Sequence, residues 1–276
     1  MNVSDLISDF SAGYLVLERR GFIHLFKIPE RDIIPIVSPV PHENNKEIKK
    51  GNFFFTTNQV FAEVLENCFS PSKGRGVSEK IKRLFLEAGS EAHYRSHPYS
   101  RTHSIEVWRD DALVGGALIL QLGGYVLSIS VFNNYNGAGN AAAVFLQKLL
   151  VKGGFVVHDS GMRSKISSYF GARYMTQEEV TNIRNTAILM PLDFPTIPYR
   201  IAFKQISLLT RDKNGWSFPC EERHAPKGQG GGEEIKDIRQ VGARNRSRSE
   251  AGATRPGAQS AFARGHRRST QEQLTS

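Results

Sequence analysis

Several groups of residues in this chain have types and spacings that can do chemistry. Asn134-Tyr135-Asn136-Gly137-Ala138-Gly139 lies between an apolar strand-like run and a helical one. Gly137 and Gly139 would let backbone amides approach a ligand, and the dipole of the following helix favours an anion or a polarised carbonyl. The plain alternative is an ordinary strand–helix turn. Asp159 closes a short apolar run before Ser160-Gly161, at a strand end where ligand sites are common, although an isolated Asp also caps helices. His93 and His97 have helical spacing with His103 nearby, which suggests a metal site. No Cys is suitably placed, and Asp110 and Asp111 are committed to a turn, so these read as surface histidines and no metal is expected. The clusters Lys46/Lys49/Lys50 and Lys80/Lys82/Arg83 can take phosphates, or simply form solvated faces. There is no phosphate loop ending in Gly-Lys-Ser and no nucleophile elbow.

The elements that must position these groups follow from pattern. Ser104–Arg109, Ala112–Leu122 and Tyr125–Phe132 read as strands joined by the two-residue turns Asp110-Asp111 and Gly123-Gly124, which predicts an antiparallel meander. A helix follows from about Ala141 to Lys152, with Ala142, Phe145, Leu146, Leu149 and Leu150 as its stripe and Gly153-Gly154 as its stop. Phe155–His158 is a fourth strand, and a short helix spans about Ser164–Phe170. Upstream, Phe53–Phe55 is a strand candidate and Thr56–Gln59 a capping box for a helix burying Val60, Phe61, Val64, Leu65 and Cys68. Ser78 opens another helix. Pro29, Pro35, Pro39 and Pro41 mark irregular structure. The expected class is α+β: residues 1–52 form a small leading unit, 53–209 the main domain and 210–276 a disordered basic tail. The strand–strand–strand–helix–strand–helix order resembles that of GNAT-type N-acyltransferases, and the Asn134–Gly139 loop resembles a degenerate version of their coenzyme A loop, a likeness of plan rather than of chemistry.

Composition sets the bounds. The 276 residues carry 36 Lys plus Arg and 27 Asp plus Glu, a net charge of +9, of which +5 falls in residues 211–276. The main domain is therefore only mildly basic, and nucleic acid is a plausible partner. With 39% apolar residues a real core is available. Cys68 and Cys220 are far apart, which fits a reduced compartment without disulfides or zinc. Leu113–Phe132 is uncharged over about the length of a membrane span, but its paired glycines, Gln121, Ser128 and Ser130 and its period-two alternation indicate strands. The first ten residues lack the features of a signal or transit peptide. The expectation is a cytoplasmic monomer with no membrane association and no cofactor.

The residues from Thr102 to about Val180 resemble those of leucyl/phenylalanyl-tRNA–protein transferases. Thr102-His103-Ser104-Ile105-Glu106-Val107-Trp108 and Leu113-Val114-Gly115-Gly116 match the family's HSVEVW…LVGG segment, and Gly153-Gly154-Phe155-Val156-Val157-His158-Asp159 and Phe170-Gly171-Ala172-Arg173 match GFxLIDCQ…SLGAR. The resemblance implies a GNAT-like fold and transfer of Leu, Phe or Met from aminoacyl-tRNA to an N-terminal Lys or Arg, which marks the acceptor for degradation. That chemistry needs no metal and no enzyme nucleophile; the acceptor amine attacks the ester, so the protein positions the partners and stabilises the oxyanion. The departures are specific. Ile129 stands where bacterial members carry the site glutamate, and Gly161 where they carry the catalytic glutamine. Ser128–Phe132, Gly137-Ala138-Gly139 and Asp159-Ser160-Gly161-Met162 are closer to an algal and eukaryotic branch. The family's tryptophan-bearing segments are replaced by Val37-Ser38-Pro39 and Gly76-Val77-Ser78.

Carried onto this chain, the resemblance implies that Asp159 holds the acceptor amine and helps deprotonate it, and that Ser128 and Ser130 orient the aminoacyl ester or terminal ribose. Ile129, Val131, Phe132 and Phe145 would form the aminoacyl pocket, discriminating by about 1–3 kcal/mol per methylene. Lys46, Lys49 and Lys50 would take the acceptor stem. Three alternatives stay open: an acyl-CoA-dependent GNAT enzyme, a family member that binds charged tRNA without turnover, and nucleic-acid binding by the basic tail alone.

Overall fold

The uncharged run at 113–132 is a hairpin. In the computed structural model, which describes residues 1–19, 21–70, 76–208, 210–212 and 215–217, β5 (Ser100–Arg109), β6 (Ala112–Leu122) and β7 (Tyr125–Asn133) form the expected antiparallel meander. Asp110 sits at φ 53° and Gly123 at φ 58° in its two tight turns. Gly123 is required twice over, because a Cβ there would also lie 2.4 Å from the carbonyl oxygen of Ile188.

The meander is the centre of an eight-stranded mixed sheet of order β10-β4-β5-β6-β7-β8-β3-β9 among the described residues. Its other members are β3 (Glu30–Ile34), β4 (Phe54–Thr57), β8 (Val157–Asp159), β9 (Arg173–Thr176) and β10 (Ile201–Ala202). Every neighbouring pair is antiparallel except β7 with β8, which are joined through the helix α6 (Ala138–Gly153). Alternation along the strands feeds two cores. Phe55, Ile105, Val107, Ile119 and Val126 face α6, a helix apolar on nearly all sides. Leu118, Leu120, Leu127 and Val157 face α1 (Val3–Ser11), α3 (Phe61–Cys68) and α4 (Glu79–Ala88). The N-cap of α4 is Ser78, as its sequence predicts.

Three expectations need correction. The proline-flanked segment 29–41, read as irregular, contributes β3, which is hydrogen-bonded between β8 and β9; the sheet therefore runs across the expected boundary at residue 52. Ahead of it, β1 (Leu15–Arg19) and β2 (Phe22–Phe26) form a separate hairpin. The capping box at 56–59 does not form, because Thr56 and Thr57 belong to β4 and α3 begins only at Phe61. Its acceptor comes from a distant residue: Glu106 on β5 takes the amides of Gln59 (3.0 Å) and Val60 (3.3 Å), together with the hydroxyls of Ser104 (2.6 Å) and Thr56 (2.5 Å). Finally, residues 210–217, read as the start of a disordered tail, include a strand pair, β11 (Thr210–Asp212) with β12 (Gly215–Ser217). The rest of the tail, with Cys220, lies outside the described residues.

No helix among the described residues is long and apolar enough to cross a membrane.

Candidate active site

The site is built where β7 parts from β8. These strands pair in parallel only from Tyr125–Val157 to Leu127–Asp159, and β8 ends there while β7 continues for six residues. Just past the last pair, β7 carries a bulge. Ile119 pairs with Ser128 and Leu118 with Ser130, so Ile129 is the extra residue. The insertion fixes which face each side chain takes. Ser128 and Val131 lie on the α6 face, while Ile129, Ser130 and Phe132 lie on the α3 face. Ser128 and Ser130 are therefore not brought together. Ser130 donates to the carbonyl of Cys68 (3.2 Å).

Ser128 has partners that the sequence did not reveal. Its Oγ is 2.8 Å from Nε2 of His158 on β8, and Nδ1 of that ring is 2.5 Å from the amide nitrogen of Gln147 on α6. His158 and Gln147 are 2% and 1% exposed, and Ser128 is half-buried. Burial holds the His158 pKa down at about 4, so the ring is neutral at physiological pH. The only sequence signal was a polar residue in an otherwise apolar strand, Phe155-Val156-Val157-His158.

Asp159 points to the opposite face from His158 and is fully buried. Its Oδ2 accepts from Arg31 Nε at 2.5 Å and from the Tyr125 hydroxyl, and its Oδ1 accepts from the Gly161 amide at 2.6 Å. Burial, then the adjoining Asp159 charge, pushes the Tyr125 phenol well above its ordinary range and keeps it a donor. The turn after Asp159 is fastened further: the Asp32 carbonyl accepts from Ser160 N (2.9 Å) and Ser160 Oγ (3.0 Å). Gly161 has φ 72°, a left-handed conformation that disfavours any residue with a Cβ, and among the described residues no heavy atom lies within 4 Å of where its Cβ would be.

A cavity of about 300 Å³ opens beside the bulge, lined by Val131, Phe132, Asn133, Gly137, Gly139 and Ile166 among others. Val131, Phe132, Gly137 and Gly139 thus meet at one place. Ser128, Ile129, Ser130 and Phe145 are not in its lining: Phe145 is fully buried in the α6-side core, stacked on Phe55 at 4.5 Å. The N-cap of α6 is Gly137 at φ 81°, and the Asn133 side chain accepts from the Gly139 amide (3.0 Å). The positive end of a four-turn helix is thereby set against the cavity.

Lys46, Lys49 and Lys50 are all exposed on α2 (Lys46–Lys50), which is anchored by the buried Ile48. This helix approaches the cavity rim, with Glu47 Cβ 3.4 Å from where a Gly137 Cβ would be. The second basic cluster is divided. Lys82 is 7% exposed and holds Glu66 (2.6 Å) and Glu79 (2.9 Å), whose hydrogen bonds raise its pKa, so it does not belong to a phosphate-binding face. His93 and His97 stack at 4.6 Å, and His93 Nε2 lies 2.7 Å from the Ser100 carbonyl oxygen. His103 is buried between Asn58 (3.0 Å) and Gln121 (3.1 Å). Among the described residues no group of three or more His, Cys, Asp or Glu is placed to hold a metal ion.

Comparison with known proteins adds the family. The profile of leucyl/phenylalanyl-tRNA protein transferase matches residues 35–184, from the end of β3 into the helix α8 (Gln177–Ala187). The chain belongs to this family. A leucyl/phenylalanyl-tRNA–protein transferase of Rhodopseudomonas palustris is 27% identical over 201 residues, covering 71% of this chain and 79% of that one. Its counterpart from Phenylobacterium zucineum is 27% identical over 197 residues, covering 69% and 86%. Among solved structures, L-PGS from Bacillus licheniformis aligns with a TM-score of 0.34 at 13% identity, covering 66% of this chain and 56% of that one.

Proposed function

We propose that this protein moves Leu, Phe or Met from aminoacyl-tRNA to the N-terminal amino group of acceptor proteins beginning with Lys or Arg, marking them for degradation. The observation that carries this reading is the family match over residues 35–184, a span that includes the parting strands, the cavity and α6. Attack of the α-amine on an aminoacyl ester requires alignment and charge stabilisation rather than an enzyme nucleophile. On this reading the aminoacyl group enters the cavity against Val131 and Phe132, with the N-terminus of α6 at the cavity rim. Asp159 acts through the turn it holds, since its oxygens are already engaged by Arg31, Tyr125 and Gly161. We assign the fold to the GNAT-like type; strands that pair in parallel and then part beside a helix N-terminus support it. Residues 53–209 would carry the chemistry, completed by β3. Use of charged tRNA fits a cytoplasmic location.

A second reading, binding of charged tRNA without turnover, is favoured by Ile129 and Gly161 at the positions of the family's glutamate and glutamine. Transfer of labelled Leu or Phe from charged tRNA onto a protein beginning with Arg or Lys separates the two. Label on the acceptor is expected; retention of charged tRNA with no label would establish the second reading.

The three lysines of α2 carry a separate prediction. Replacing Lys46, Lys49 and Lys50 together with Gln should lower the salt dependence of tRNA binding by roughly 2–3 in the slope of log K against log salt, at about 0.7–0.9 per lost phosphate contact. Binding titrations between 50 and 200 mM salt, a range of about the usual leverage, measure it; an unchanged slope would remove these lysines from the interface.

A further inference from the structure

The buried chain Ser128–His158–Gln147 has a direction, and the direction assigns a role. Gln147 presents its amide nitrogen to His158 Nδ1 at 2.5 Å, so Nδ1 is the acceptor and the ring's proton is on Nε2. That Nε2–H then donates to Ser128 Oγ at 2.8 Å. A serine hydroxyl has one hydrogen and two acceptor lone pairs. With a lone pair taken by His158, the Ser128 hydrogen is turned away from the imidazole and is polarised by the bond its oxygen accepts. Among the described residues no other partner takes that hydrogen. Ser128 is half-buried, the first residue of β7 beyond its pairing with β8, and on the same sheet face as the cavity-lining Val131. The remaining carbonyl oxygen of Gln147 is buried without a partner among the described residues. Leaving a buried acceptor unpaired is costly, and here the cost accompanies an orientation that makes His158 a donor rather than a base.

We propose that Ser128 donates its hydroxyl hydrogen to the carbonyl oxygen of the aminoacyl ester, stabilising the negative charge that forms there, and that His158 and Gln147 are positioning residues that fix it as a donor. This rests on the transferase reading above. In the step, the acceptor amine forms the C–N bond, the carbonyl electron pair moves onto oxygen and is held by Ser128 O–H. It then returns as the C–O bond to the tRNA ribose breaks, and the amine proton passes to the leaving ribose oxygen. No bond to the enzyme forms. The arrangement supplies a neutral donor in a chain that lacks the family's glutamate and glutamine.

The test uses the full chain, charged Phe-tRNA and an acceptor with N-terminal Arg. Ser128→Ala should lower kcat by about 10²–10³-fold, the usual loss for an oxyanion donor, with KM for charged tRNA held within about threefold. His158→Leu should lose about as much, and Ser128→Ala/His158→Leu no more than either alone, since the histidine acts through the serine. His158→Gln, which can put an N–H near the lost Nε2–H, should recover most of the rate. Transfer by Ser128→Ala at within threefold of the parent chain, or a loss confined to KM, overturns the proposal. So does a labelled aminoacyl group found on Ser128 after a denaturing quench, which would make the serine a nucleophile and His158 its base. Ser128→Ala is a one-atom deletion at a half-buried position, so it remains decisive if the His158 variants fail to fold. A parent chain that binds charged tRNA but transfers nothing instead overturns the transferase reading, and this proposal with it.

Discussion

Asp159→Ala should lower the free energy of unfolding by about 3–5 kcal/mol, the usual consequence of deleting one partner of a buried ion pair. Arg31 is 1% exposed and would keep its charge with no counter-ion, while the Tyr125 hydroxyl and Gly161 amide would lose their acceptor. For a fold whose total stability is of the order of 5–15 kcal/mol, that is a large share. Urea unfolding followed by circular dichroism measures it. Adding Arg31→Met to Asp159→Ala should restore much of the loss, because the uncompensated charge is then gone. A change below about 1 kcal/mol for the single variant would mean that the pair is not a structural clamp. Activity measurements on Asp159 variants therefore need a stability control beside them, since a protein that has lost its turn loses transfer whatever the carboxylate does to the amine.

Acid should destabilise the fold well above the usual carboxylate range. His103 and His158 are held neutral by burial, with pKa values of about 3 and about 4. The unfolded chain binds these protons near pH 6.5 and the folded chain does not, so stability is full above pH 6.5 and falls as pH drops toward the folded values. At about 1.4 kcal/mol per pH unit for each ring, the two remove on the order of 5 kcal/mol between pH 6.5 and 4.5. Glu106 works the other way. Burial raises its pKa against four hydrogen bonds, so the folded state takes up that proton first and gains stability as pH falls through the window above its ordinary value. Urea midpoints from pH 7 to 4.5 should fall steeply, and His158→Gln should remove about half of the slope contributed by the histidines. A flat profile would mean that both imidazoles reach solvent.

Where the chain obeys local rules, its structure was readable in advance. The meander β5–β7 announces itself by alternation and two-residue turns, and α6 by an apolar stripe closed by Gly153-Gly154. The errors share one cause, which is that the partner is remote in sequence. β3 reads Glu-Arg-Asp-Ile-Ile between prolines and does not look like an interior strand; Arg31 and Asp32 are nonetheless 1% exposed, because Asp159 and Ser167 meet them across more than a hundred residues. The apparent capping box at Thr56 fails because Glu106 outcompetes a local hydroxyl for the amides of Gln59 and Val60. Lys82 reads as part of a basic face until Glu66 and Glu79 close on it. For the candidate site, the sequence marks Gly137, Gly139, Val131 and Phe132, which the structure gathers around one cavity. The separation of Ser128 from Ser130 was not legible, since a one-residue bulge leaves no mark in the pattern. Nor was His158, whose role exists only once Gln147 and Ser128 converge on it.

The position of β3 has a consequence for how the chain is made. Arg31 and its partner Asp159 are 128 residues apart, and both neighbours of β3 in the sheet, β8 and β9, are synthesised after everything else in the sheet except β10. At about 5–20 residues per second, the nascent chain carries β3 for roughly 6–26 s before its first neighbour has been translated. During that time it is an orphan strand with a bare cation, while the meander is already able to pair with itself. Apart from the short β10–β4 edge, the last seam of the sheet to close is thus the one made by its earliest strand, and it is the same seam that fixes the Asp159–Gly161 turn. Completion of the site is consequently a late event in biogenesis, governed by the return of the N-terminal segment rather than by the hairpins that make up most of the sheet.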